Sequence, residues 1–255
     1  MDKKQISLQV YTARNFKPYE NIFKFLYESG IENVELFEVE AFDETKDLLE
    51  KYNLTARSSH IGFDTLKDTG PIISSLQKLN VKHAIVPCPS GKPGGKFEAI
   101  FDKNEEEWNE FGKELSSYVD IFEDNGMTLG YHNHAFEFNK LPSGKMPMEC
   151  ILDHNENLKY EIDLGWVMAG KADPIYWTKK YASRIIACHL KDFSSANIDL
   201  IDHNSQCAVG DGFIDWISLL DEVKKTDCEI FALEHDDPKD YKEYTLTSIE
   251  NLKDI

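Results

Sequence analysis

The chain has 255 residues, with 28 Lys plus Arg against 46 Asp plus Glu, a net charge of −18. That field repels phosphate backbones and anionic lipid, which argues against nucleic-acid and membrane partners. A hydrophobic fraction of 41% fits a folded core, and no apolar run approaches the length that crosses a bilayer.

From the N-terminus, MDKK leads into a strand at ISLQVY (6–11) without a signal-like apolar stretch, so a cytoplasmic location is expected. A helix follows over 19–30, with apolar residues at 22, 23, 26 and 27 and then a glycine stop. The alternation continues through strands NVELFE (33–38), LTARSSH (54–60), HAIVPC (83–88) and MTLGYH (127–132). Helices are predicted between them over 43–53, 71–80 and 105–126. Strands YEIDL (160–164), RIIACHL (184–190) and EIFALE (229–234) complete the set, with helices over 173–183, 215–226 and 240–254. Asp173, just ahead of Pro174, reads as the cap of its helix.

Eight strands each trailing a helix predict right-handed crossovers and a parallel sheet. In this length they fit an α/β fold, a single (β/α)8 TIM barrel spanning residues 1–255. A doubly wound open sheet is the alternative, but it usually begins with a glycine-rich turn, and strand one runs into TARNFKP. Neither GxGxxG nor GxxxxGK[ST] occurs, so nucleotide binding has no motif behind it. The five cysteines contain no CxxC and read as small buried side chains in a reducing compartment. Long connections at 133–158 and 192–214 both start at strand C-terminal ends, the face where barrel enzymes build their sites.

The strand ends carry a coherent chemistry. They offer Gln9 and Tyr11, Glu35 and Glu38, His60, His132 with Asn133 and Glu137, Asp163 with Trp166, His189 with Lys191, and Glu234. Acids at the ends of apolar strands need partners or water. Asp163, His189 and Glu234 lie on three successive strands and, with one more carboxylate, would form an oxygen-rich, one-nitrogen cation site. Each has a plainer reading as a packing histidine or a helix cap, and Glu35 is equally readable as a buried acid paired with Arg57.

The segments ISLQVYTAR, NVELFE, SSHIG, YHNHAFEF, EIDLGWVMAGKADP, ACHLKDF, VGDGFIDW and ALEHDDP occur in order along the chain. Together they resemble the xylose isomerase-like barrel superfamily, often labelled sugar phosphate isomerase/epimerase. YHNH is similar to the subgroup near inosose dehydratases and related keto-sugar lyases. The resemblance implies a divalent ion held by Glu, Asp, His and Glu from strands five to eight. Asp163, His189 and Glu234 match the last three. The first does not match: strand five ends at His132, and Glu137 is the favoured ligand, with His132 as competing ligand or base.

The expected cofactor is Mn²⁺ or Mg²⁺, with Co²⁺ and Zn²⁺ as alternatives, and the expected partner is a small carbohydrate. The implied reaction is isomerisation or epimerisation of a ketose, polyol or keto-sugar through a metal-stabilised enediolate. Glu137, Glu234 and His132 are the catalytic candidates; Gln9, Tyr11, Glu35, His60, Asn133, Trp166 and Lys191 are the substrate-binding candidates. Elimination by a keto-sugar dehydratase shares the first step. A metal nuclease conflicts with the charge, and a catalytically silent sugar-binding barrel is the remaining reading.

Overall fold

The computed structural model describes residues 3–37, 42–89, 103–196, 198 and 205–253. Eight parallel strands close into a barrel: β1 (Ile6–Gln9), β2 (Asn33–Leu36), β3 (Thr55–His60), β4 (His83–Val86), β5 (Thr128–His132), β6 (Lys159–Asp163), β7 (Ile185–Leu190) and β10 (Ile230–Leu233). Each pairs with its neighbours in chain order, and β10 closes on β1 through Ile6↔Phe231 and Leu8↔Leu233. A short antiparallel pair, β8 (Asp192–Phe193) with β9 (Gln206–Cys207), stands outside the barrel.

The sheath consists of α1 (Tyr19–Glu28), α2 (Phe42–Lys51), α3 (Thr69–Lys78), α4 (Glu105–Ser116), α5 (Val119–Asp124), α6 (Pro147–Leu152), α7 (Leu164–Ala169), α8 (Pro174–Lys180), α9 (Trp216–Val223) and α10 (Tyr241–Asn251). Helix starts follow side-chain chemistry. Asn104 and Glu107 form a reciprocal capping box on α4. Asp173, as expected, accepts the Ile175 and Tyr176 N–H groups at the start of α8.

All eight expected strands are present. Glu38 lies outside the described residues, as does part of the 192–214 connection. The expected helix over 105–126 divides into α4 and α5. Ser117 donates its hydroxyl to the Glu114 carbonyl, and Tyr118 N–H bonds Leu115 O, so the last turn tightens before α5 begins. The 133–158 connection contains α6 and a 3₁₀ turn at Phe136–Phe138. No helix among the described residues is long and apolar enough to cross a membrane.

The main apolar core joins outward-facing strand residues such as Leu8, Val34, Leu129, Ile162 and Leu233 to helix residues such as Ile22, Leu26, Leu76, Leu115 and Leu220. Ile85, Ile186, Ala187 and Ile230 form a separate small cluster. Because strand side chains alternate, the other face of the same strands brings Gln9, Glu35, Ser58, His60, Glu161, Asp163, His189 and Glu234 together in the barrel, all buried.

Candidate metal centre and active site

Asp163 is the last residue of β6 and also the cap of α7. Its Oδ1 accepts the Trp166 N–H at 2.8 Å, while its buried Oδ2 takes no hydrogen bond. His189 sits beside it across the ladder, and Ala232 of β10 faces His189 on the other side. His189 Nδ1 lies 3.0 Å from Glu234 Oε2 and 4.0 Å from Asp163 Oδ2. His132 ends β5 opposite Glu161. Ligand-type atoms of His132, Asp163, His189 and Glu234 all fall within 4.8 Å of one another. A second group, His60, His132, Glu161 and His189, meets the same limit and shares both histidines.

Close backbone packing sets this geometry. A Cβ on Gly165 would come closer than 3.0 Å to the Lys191 carbonyl oxygen, so glycine lets the start of α7 lie against β7. Lys191, fully buried, places Nζ 2.9 Å from Asp236, 3.0 Å from Glu234 and 3.8 Å from Asp163. The same Nζ stands 4.7 Å above the Trp166 ring. Asp236 also accepts the Gln206 amide, which ties β9 to the barrel mouth.

The charges are mutually compensated. Burial pushes the Asp163 carboxyl up to about 7, against the pull of Lys191 and His189. Burial also disfavours the charged forms of Lys191 and His189, but surrounding carboxylates outweigh it and raise both above their ordinary values. For Lys191 these are Asp236, Glu234 and Asp163; for His189 they are Glu161, Glu35 and Glu234. Glu234 stays ionised because Lys191 and His189 overcome its desolvation. His132 has no such excess of acids, and burial holds it well below the ordinary histidine value, as a neutral ring.

The donor set fits a divalent ion. It has two imidazoles and two carboxylates, and a buried carboxylate oxygen without a partner on Asp163.

Several expectations need correction. Glu137 belongs to neither group. Its carboxylate accepts the Tyr131 hydroxyl at 2.6 Å and the His134 N–H at 2.8 Å, so it pins the loop after β5. Burial raises it to about 8. His132, the competitor, takes its place in the cluster. The two-imidazole set also replaces the one-nitrogen site expected. Glu35 does not pair with Arg57, whose guanidinium goes to Glu229. Instead Glu35 accepts Gln9 Nε2 at 2.8 Å and the Ser58 hydroxyl, and lies 2.6 Å from His189 Nε2. The expected substrate residue Asn133 is fully engaged with the Asp163 backbone and the Tyr160 hydroxyl, so it positions β6. His60, at 2.6 Å from Glu161, joins the histidine cluster. Tyr11, at the mouth, is half-buried against Phe37 with the Arg14 guanidinium over its ring. Trp166 is buried with Nε1 unpaired, beside His134 and Phe193.

Glu161 is the residue that reading strand ends overlooks. For Glu161 the signal is strand parity, since it precedes Asp163 by two and shares its face.

Inosose dehydratases match by sequence. That of Clostridium botulinum is 34% identical over 97 residues, 38% of this chain and 32% of the relative. That of Bacillus cereus is 26% identical over 177 residues, 62% and 57% respectively. This chain therefore spans about a third of one and somewhat more than half of the other. A sugar phosphate isomerase/epimerase from Parabacteroides distasonis shares the fold with a TM-score of 0.78 at 18% identity, covering 99% of this chain and 94% of its own. The IOLI protein, solved with a bound zinc atom, does so at 0.76 and 14% identity, covering 98% and 97%. A family model described as xylose isomerase-like TIM barrel matches residues 23–255, nearly the whole barrel, and the chain belongs to that family.

Proposed function

We propose that this chain is a divalent-metal-dependent enzyme acting on a ketose, polyol or keto-sugar. In this reading it removes the proton beside a carbonyl and returns it elsewhere, as an isomerase or epimerase. The observation that supports this best is the convergence of His132, Asp163, His189 and Glu234, with the Lys191 ammonium against two of them. An ion held there supplies Lewis acidity to the substrate carbonyl and its neighbouring hydroxyl. Mn²⁺ and Mg²⁺ suit the carboxylates, while the second imidazole strengthens the case for Zn²⁺ or Co²⁺.

The side chains around that site divide the work. Glu234 keeps Oε2 on His189 and Lys191, while Oε1 accepts no hydrogen bond from a described residue. We assign Oε1 to proton abstraction from the carbon beside the carbonyl. Lys191, held protonated by three carboxylates, donates to the oxygen on which negative charge grows. Trp166 Nε1, buried and unpaired, is a donor for a sugar hydroxyl, and its ring covers the ammonium and keeps water away. Asn133 and Gly165 hold Asp163 and Lys191 in place.

The sequence relatives favour a second reading. Inosose dehydratases are lyases, and expelling a β-hydroxyl after the same proton abstraction gives dehydration. One experiment separates the readings. The Mn²⁺-loaded protein is incubated in D₂O with keto-inositols, 3-keto-glycosides and free ketoses. Deuterium at the carbon beside the carbonyl, seen by NMR, reports the shared first step. A new epimer or aldose supports the isomerase, and ultraviolet absorbance from a conjugated enone supports the dehydratase. No exchange with any substrate in Mn²⁺, Mg²⁺, Co²⁺ or Zn²⁺ returns the chain to a silent sugar-binding barrel.

A further inference from the structure

We propose that Asp236 is a positioning residue that holds the Lys191 ammonium off Asp163 and Glu234, so that their oxygens stay open to the divalent ion. The inference deepens the metal-dependent reading above and rests on it.

Lys191 and the ion compete for the same oxygens. The buried ammonium donates a hydrogen bond to Asp236 Oδ2 at 2.9 Å, and it stands 3.0 Å from Glu234 Oε2 and 3.8 Å from Asp163 Oδ2. Asp163 and Glu234 both belong to the four-residue cation group, and Asp163 Oδ2 takes no hydrogen bond. A lysine carries a compact charge and three donors on a flexible stem. Without a better acceptor it would settle between Glu234 and Asp163 and act there as an internal counter-ion in place of the metal. Two cations held against one carboxylate oxygen also repel each other.

Asp236 is braced against that outcome. Its N–H donates to Gln206 Oε1 at 2.9 Å, and its carbonyl accepts Arg14 Nη1. Gln206 Nε2 donates to the same Oδ2 that holds the ammonium. Gln206 lies on β9 and Arg14 at the end of the 3₁₀ turn after β1, so two elements outside β10 fix the position of this buried carboxylate. An ionised carboxylate set in this way is a stronger acceptor for an ammonium than any neutral group. The Trp166 ring, 4.7 Å from Nζ, adds a contact that uses no ligand oxygen. Asp236 and Trp166 together give the ammonium a place beside the cation group.

A double-mutant cycle on Zn²⁺ affinity, read by chelator competition, provides the test. Asp236→Asn should bind Zn²⁺ about 10- to 100-fold more weakly than wild type, the strength of one hydrogen bond to a charged group. Lys191→Met removes the competing charge and should bind Zn²⁺ more tightly than wild type. In the Lys191→Met background, Asp236→Asn should no longer weaken binding, because no ammonium is left to stray. If Asp236 acted only as one more negative charge near the ion, it would weaken binding equally in both backgrounds, and that result overturns the proposal. Unchanged affinity in a folded Asp236→Asn overturns it too, as does Lys191→Met binding no more tightly than wild type. If Asp236→Asn fails to fold, a crystal structure of the Zn²⁺-loaded wild type decides. Nζ should stay on Asp236, and Nζ bonded to Asp163 or Glu234 instead overturns the proposal. A wild type that binds no Zn²⁺ refutes the metal reading itself and this inference with it, whereas normal Zn²⁺ binding with an additive cycle overturns this inference alone.

Discussion

Asp192 ties the loop at 209–212 to the strand end after β7. It follows Lys191 directly and is fully buried. Its Oδ1 accepts the Phe193 N–H at 2.8 Å, and its Oδ2 accepts Gly210 N at 2.9 Å, Gly212 N at 3.2 Å and Trp216 Nε1 at 2.8 Å. A Cβ at Gly212 would collide with this carboxylate, so the VGDG loop is folded directly onto it. In Asp192→Asn the amide oxygen serves best at Oδ2, which keeps three bonds as neutral ones and sets the NH₂ against the Phe193 N–H. A bond to a charged acceptor is worth about 1.5–3 kcal/mol and a neutral one about 1, so the change should cost roughly 3 kcal/mol. For a chain of this size that lowers Tm by about 6–12 °C. Circular dichroism melts measure the global loss, and amide exchange at Gly210 and Gly212 measures the local one. A variant within about 0.5 kcal/mol of wild type, with both amides still protected, would refute the assignment of Asp192 as the anchor of this loop.

Three further outcomes are expected. Mn²⁺ at about 100 times its Kd should stabilise wild type by about 2.7 kcal/mol, and His189→Ala should show no such rise in a thermal melt. Glu137→Gln should retain its metal while His132→Gln loses affinity, since only His132 reaches the cluster; elemental analysis of both decides this. Burial works to raise Glu149, but Lys180 and the Met146 N–H hold it below the ordinary value. A lowered carboxyl adds stability above its unfolded pKa of about 4.3 and loses it as pH falls through the lower folded value. The Tm gap between wild type and Glu149→Gln should therefore close between about pH 5 and pH 3, and a constant gap would contradict the pairing.

The barrel is legible in the sequence because each strand is a short apolar run ahead of a 3.6-residue rhythm. Elements without that rhythm are not. α6 lies inside a loop, and α7 begins at Asp163, where the same carboxylate serves strand end, cap and candidate ligand. Asp163, His189 and Glu234 stand out because three ligand-type residues lie at the ends of three successive strands. Glu137 misleads because residue type carries no direction: the loop turns its carboxylate back to Tyr131 and His134. Glu161 is hidden by its mid-strand position, and only alternation along YEIDL reveals that it faces inward.

Hydrophobic burial and chemistry occupy opposite faces of the same strands. Apart from the cluster of Ile85, Ile186, Ala187 and Ile230, the apolar packing lies between strands and helices, while acids, amides and imidazoles fill the barrel around the site. An exchange at an inward position therefore removes little apolar contact and is limited chiefly by charge balance and hydrogen bonding. For directed evolution this makes the inward face the place to search for new substrates. Libraries should vary it in compensated pairs, such as Gln9 with Glu35 or Lys191 with Asp236. An outward Leu8 or Ile162 should be left alone, since truncating either opens a cavity costing about 2–5 kcal/mol.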